Sequence, residues 1–181
     1  MFKSVILAAS IFTIASGSAF AAGSGSGGDT SPPKPTQTSK DCKKTQVWDK
    51  ETKKCVKAEK SSFNDDTLYD AARELAYANR HEDAIGILNV MREQNTPRVL
   101  NYLGFNNRKL GNFEIGMDYY RQALAINPDF VLARAYMGQA LIQQGDIEGA
   151  KAQLKEIRRR VGTQDYAYFT LAQALDTKKA Y

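Results

Sequence analysis

His81 is the single histidine of the 181-residue chain, so imidazole-based nucleophile activation or proton shuttling would have to run through it. No glycine-rich phosphate loop, Gly-x-Ser-x-Gly elbow or His-Glu-x-x-His run accompanies it. Cysteine chemistry is confined to Cys42 and Cys55. Their spacing does not fit a Cys-x-x-Cys redox pair, and a zinc site would lack its second pair of ligands. The acidic pairs Asp65-Asp66 and Glu82-Asp83 fall at helix starts and Arg158-Arg159-Arg160 at a helix end, where each sign offsets the local end of the helix dipole. Carboxylates alone, without a supporting constellation, make no metal site. The residues predict no catalytic group, no metal and no cofactor. The chain reads as a binding protein and not an enzyme.

The cysteines take their meaning from the amino terminus. Lys3 gives a short positive start, Val5 to Ile14 an apolar stretch, and Ala19-Phe20-Ala21 a small-x-small cleavage pattern. Residues 1–21 therefore read as a signal peptide cut after Ala21, and the protein as periplasmic or secreted. The alternative, an uncleaved anchor, is disfavoured because Ser16, Gly17 and Ser18 leave the apolar core short of the roughly 20 residues that span a bilayer. In an exported chain two cysteines favour a Cys42–Cys55 disulfide, and a loop of this size contributes about 3 kcal/mol.

Between leader and main domain lie two short segments. Residues 22–40, rich in Gly, Ser, Pro and Thr with no large apolar side chain, read as a disordered linker. Residues 41–60 read as a separate disulfide-closed hairpin, with Val47-Trp48 and Cys55-Val56 flanking a polar turn. Residues 22–60 hold nine lysines against five acids, whereas residues 61–181 hold fifteen of each sign. The basic excess is thus confined to the amino-terminal part, and the main domain lacks the basic stripe that nucleic acid requires. Lys43, Lys44, Lys50, Lys53, Lys54 and Lys57 around Trp48 suit weak contact with anionic cell-wall or membrane-surface groups, or else a solvated spacer.

Past Phe63 the apolar pattern is helical and repeats. Leu103-Gly104, Gly111, Phe113, Tyr120, Ala123 and Pro128 are followed thirty-four residues on by Met137-Gly138, Gly145, Ile147, Leu154, Ile157 and Gly162. Ala71-Ala72, Asn79, His81, Leu88, Met91 and Thr96 follow the same template upstream, with a repeat two residues shorter. The spacing predicts helices near 66–79, 81–94, 98–110, 113–126, 131–144 and 147–160, and a further helix over 165–177. Gly104 and Gly138 are expected where a side chain would hold the second helix of the pair away. Gly111-Asn112 and Gly145-Asp146 are expected to end one helix and cap the next. Pro97 and Pro128 are expected at helix starts. His81 occupies the slot of Phe113, so packing accounts for it.

This pattern resembles the tetratricopeptide repeat, most closely over Pro97 to Phe130. The resemblance implies an all-α right-handed superhelix of three helix pairs (about 65–96, 97–130 and 131–164) closed by a cap helix over 165–177, the whole domain spanning 61–181. It further implies a non-catalytic adaptor or scaffold whose concave groove takes a partner peptide or helix, here from an unidentified protein of the cell envelope. Projected onto this chain, the groove comprises Tyr69, Arg73, Tyr77, Asn101, Phe105, Arg108, Lys109, Tyr136, Gln139 and Gln143. Asn101 is the leading candidate, because an amide can pair with a peptide backbone in both directions. Tyr102 and Tyr136 have a second reading, as packing between repeats. The two-carboxylate clamp that some members use for chaperone tails is mostly absent. Pairing of copies through terminal helices stays open, and so does the alternative that the hairpin binds cell-wall glycan or an anionic envelope polymer with the repeats as scaffold.

Overall fold

The computed structural model describes residues 31–179, so the leader expected over 1–21 and the first part of the expected linker lie outside the described residues. The described chain opens with an extended stretch and a single helical turn, α1 (Gln37–Lys40), and then an antiparallel hairpin of β1 (Gln46–Asp49) and β2 (Lys54–Lys57). Trp48 pairs with Cys55 and Val47 with Val56, and the Cys42–Cys55 disulfide closes the loop at a Cα separation of 5.4 Å.

The remaining elements are helical: α2 (Asp65–Tyr77), α3 (His81–Leu88), α4 (Pro97–Lys109), α5 (Phe113–Ile126), α6 (Val131–Gln143), α7 (Ile147–Val161) and α8 (Tyr166–Thr177). Helices α2 and α3, α4 and α5, and α6 and α7 pack as pairs. Each pair packs on the next, and α8 covers both α6 and α7. The turns inside the pairs need a left-handed residue, supplied by Gly111 at φ 88° and Gly145 at φ 84°. Asn79 takes the equivalent place at φ 59°, a conformation asparagine tolerates better than most side chains.

Close packing explains Gly104 as expected: a Cβ there would come within 2.7 Å of the Tyr120 ring and 2.9 Å of the Gly116 carbonyl on α5. Gly138 differs. Its Cβ would meet Leu171 first, so this glycine also seats the cap helix. One capping expectation and one expected helix start need similar correction. Asp146 does accept the Gly149 amide at 2.8 Å, but Asn112 makes no side-chain cap and its amide instead donates to Asn107 Oδ1. Pro97 opens α4, whereas Pro128 precedes α6 in the loop, where its carbonyl accepts from Arg134 and Arg160.

Helix α3 stops at Leu88, well short of 94. The Asp65 carboxylate accepts the amides of Arg92 and Glu93, so these donors leave the i→i−4 ladder. Those two amides hold the Asp65 carboxyl below its ordinary range. Arg160 likewise acts as a staple and not only as a dipole charge: it reaches Asp129, Glu156 and the Pro128 carbonyl.

One apolar core joins the first two pairs to the inner part of α6, and a second joins the third pair to α8. The buried stripe of α8 is Ala167, Thr170, Leu171 and Ala174, with Tyr168, Ala172 and Leu175 only half-buried beside it. The hairpin is not a separate miniature. Val47 and Ala58 belong to the first core, and Gly86 of α3 leaves the space that Thr45 fills.

Candidate functional site

The first helices of the pairs, α2, α4 and α6, contact one another and form the inner wall. Their ring-bearing residues stand in register because the repeat length returns each one to the same face. Tyr69 meets Tyr102 edge-on at 5.6 Å, Tyr102 meets Tyr136 at 6.3 Å, and Phe105 packs on Tyr136 at 4.9 Å. Phe105 is also stacked on Tyr77 at 6.1 Å and touched by the edge of His81. His81 is buried with Nδ1 3.0 Å from Asn106 Oδ1, which gives it the packing role its slot implies. Such ring pairs contribute about 0.5–1.5 kcal/mol each beyond area burial.

A cavity of about 350 Å³ opens on this wall. Tyr77, Phe105 and Tyr136 form its apolar floor, Phe169 of α8 stands exposed at its side, and Lys109, Gln139 and Gln173 supply polar groups. The Tyr77 and Tyr136 hydroxyls are 2.9 Å apart. Burial, with neighbouring Tyr102 next, raises the pKa of both phenols, that of Tyr136 well above its ordinary value. The Lys109 pKa is lowered, first by loss of solvent and then by Arg108 beside it.

At the α2 end the wall is covered by the chain's own amino-terminal segment. Arg73 donates to the Ser31 carbonyl at 2.8 Å and to the Tyr102 hydroxyl at 3.2 Å. Pro32 joins the cavity lining. Glu74 accepts the amides of Thr36 and Ser39 and the Thr36 hydroxyl at 2.6–2.9 Å. Arg80 donates to the carbonyls of Cys42 and Lys44 at 2.7 and 3.0 Å. The part of the expected linker from Ser31 to Lys40 is therefore docked, because a carboxylate and a guanidinium on the first pair meet its exposed backbone groups.

Residues 108–176 match the family model described as tetratricopeptide repeat. That part of the chain carries tetratricopeptide repeats. The match runs from the end of α4 through α8, and α2 to α4 continue the same spacing upstream. No curated protein matches the chain.

Measured against this TPR array, the ten groove candidates divide in two. Tyr77, Phe105, Lys109, Tyr136 and Gln139 line the cavity. Tyr69, Arg73, Asn101 and Arg108 are buried and do not line it, and Gln143 is exposed and accepts from Arg108 at 3.0 Å. The reason lies in neighbours that spacing does not report. Arg73 is taken by Ser31 and Tyr102, and Arg108 by Gln139 and Gln143. Asn101 is wholly buried, and neither side-chain atom of its amide has a hydrogen-bond partner among the described residues. Tyr136 packs between repeats and also lines the cavity.

Tyr166, Phe169, Thr170 and Gln173 of the cap helix also line the cavity and were not expected there. Their signal is a second stripe on α8 that shares Thr170 with the buried one and carries two rings. Reading α8 only as a cover over the third repeat hides it.

Proposed function

We propose that this protein is a non-catalytic adaptor of the cell envelope, which captures a segment of another protein in the cavity between Tyr77, Phe105, Tyr136 and Phe169. TPR domains in general bind protein partners, and the observation that supports the reading here is Phe169. It is 60% exposed at the edge of a cavity floored by three aromatic rings. An exposed ring beside an apolar hollow gains free energy when a partner covers both. The envelope setting rests on the leader read over 1–21 and agrees with the disulfide, since such bonds persist in oxidising compartments.

The test compares affinity capture from envelope extract by the wild type and by Phe169→Ala plus Lys109→Glu. Both positions are exposed, so the variant should fold. Loss of a discrete partner from the variant supports the reading, and identical sets of captured proteins contradict it.

A second reading keeps the hairpin as the contact for cell-wall glycan or an anionic polymer. Lys43, Lys44, Lys50, Lys53, Lys54 and Lys57 are all exposed, and Trp48 is only half-buried among them. Sedimentation with purified cell wall, with Lys50, Lys53 and Lys54 replaced by Gln, tests it. Unchanged sedimentation counts against the hairpin.

A further inference from the structure

The partner's chemistry can be narrowed further, on the basis of the groove reading above. We propose that the cavity takes a bulky apolar side chain of an extended partner segment, and that Lys109 pairs with a carboxylate one or two residues away on that segment.

Shape and lining carry the first half. At about 350 Å³ the cavity is at the small end of ligand pockets, which run from roughly 300 to 1,000 Å³, and so suits one or two side chains. Its walls are the rings of Tyr77, Phe105, Tyr136 and Phe169, which favour an aromatic ring or a leucine.

Charge carries the second half. No Asp or Glu lines the cavity, and Lys109 alone among its lining residues is cationic. The nearby guanidiniums are committed: Arg73 to Ser31 and Tyr102, Arg108 to Gln139 and Gln143. Lys109 makes no hydrogen bond or ion pair among the described residues, and it loses solvent beside a second cation. An incoming carboxylate would relieve both costs, whereas a lysine or arginine on the partner would add a third positive charge. A single free ammonium matches one carboxylate and not an acidic run.

The test is selection of a random displayed heptapeptide library on the purified protein and, in parallel, on Lys109→Glu. The wild type should enrich peptides with an aromatic residue or leucine followed or preceded within two positions by Asp or Glu. The Lys109→Glu variant should replace that acid by Lys or Arg. In fluorescence polarisation, the leading wild-type peptide should weaken roughly tenfold on Asp→Lys exchange and recover on the Lys109→Glu protein. Phe169→Ala should weaken both pairs. If both proteins enrich the same sequences, or peptides without an acid, the inference is overturned while capture in the cavity stands. If no peptide is enriched and Phe169→Ala changes nothing, the groove reading falls with it.

Discussion

The hydroxyls of Tyr77 and Tyr136 meet at 2.9 Å, joining the first helix of the first repeat to the first helix of the third. The two residues are 59 positions apart, and the bond passes over Phe105 of the intervening repeat, which packs against both rings. The inner wall is therefore tied by a specific polar fastening between two of the residues that line the cavity.

That fastening predicts a particular alkaline behaviour. Burial raises the Tyr77, Tyr120 and Tyr136 phenols above 10.0 in the folded chain, so the unfolded chain releases these protons first as pH rises. The stability linked to them is complete below pH 10.0 and is lost as pH climbs towards the folded values. Tyr136→Phe should reduce the steepness of that loss by up to one proton, about 1.4 kcal/mol per pH unit. Urea unfolding between pH 8 and 11 provides the measurement. An unchanged slope would remove Tyr136 from this account.

Gly104→Ala separates packing from helix propensity. Propensity alone would stabilise the variant by about 1 kcal/mol. The added methyl instead meets the Tyr120 ring and the backbone carbonyl of Gly116, so a loss of about 1–3 kcal/mol is expected. The midpoint of denaturant unfolding decides the sign.

Glu74 should govern attachment of the amino-terminal segment. Burial alone would raise its pKa, but the hydrogen bonds from Ser39 and Thr36 outweigh burial and lower it below 4.5. The stability it contributes is then present above pH 4.5 and lost as pH falls through the lower folded value. Glu74→Ala should free the segment at neutral pH, costing about 2 kcal/mol of local protection. Hydrogen exchange at the amides of Thr36 and Ser39 should accelerate in this variant, while those of α6 and α7 keep their protection.

The repeats were legible because each rests on local rules. Gly104, Gly111, Tyr120, Ala123 and their counterparts recur where turn conformation and helix contact demand them, and every helix after Phe63 begins within a residue or so of its expected place. The end of α3 was not legible, because it depends on the Asp65 carboxylate reaching amides 27 residues away. Docking of Ser31 to Lys40 was hidden for the same reason. Composition shows that Ser, Pro and Thr bury little, but not that Glu74 and Arg80 wait for their backbone groups. The cavity was half legible: periodicity placed Tyr77, Phe105 and Lys109 on one face, while the contribution of Phe169 required knowing how α8 seats on Gly138.

Asn101 separates stability from binding. Its buried amide lacks hydrogen-bond partners among the described residues, a situation that costs about 1–3 kcal/mol. Asn101→Leu should therefore raise the thermal midpoint. If the amide serves a partner backbone once the wall opens, the same variant should bind the selected peptide more weakly. Calorimetry and polarisation on one preparation test both halves.

The most direct test of capture in the cavity is site-specific photocrosslinking in intact cells, with benzoylphenylalanine in place of Phe169. The same probe at Ile115, which is 52% exposed on α5 and does not line the cavity, is the control. The account predicts a discrete protein adduct from position 169 that disappears with Lys109→Glu and does not form from position 115. No adduct at 169, or the same adducts from both positions, would contradict it.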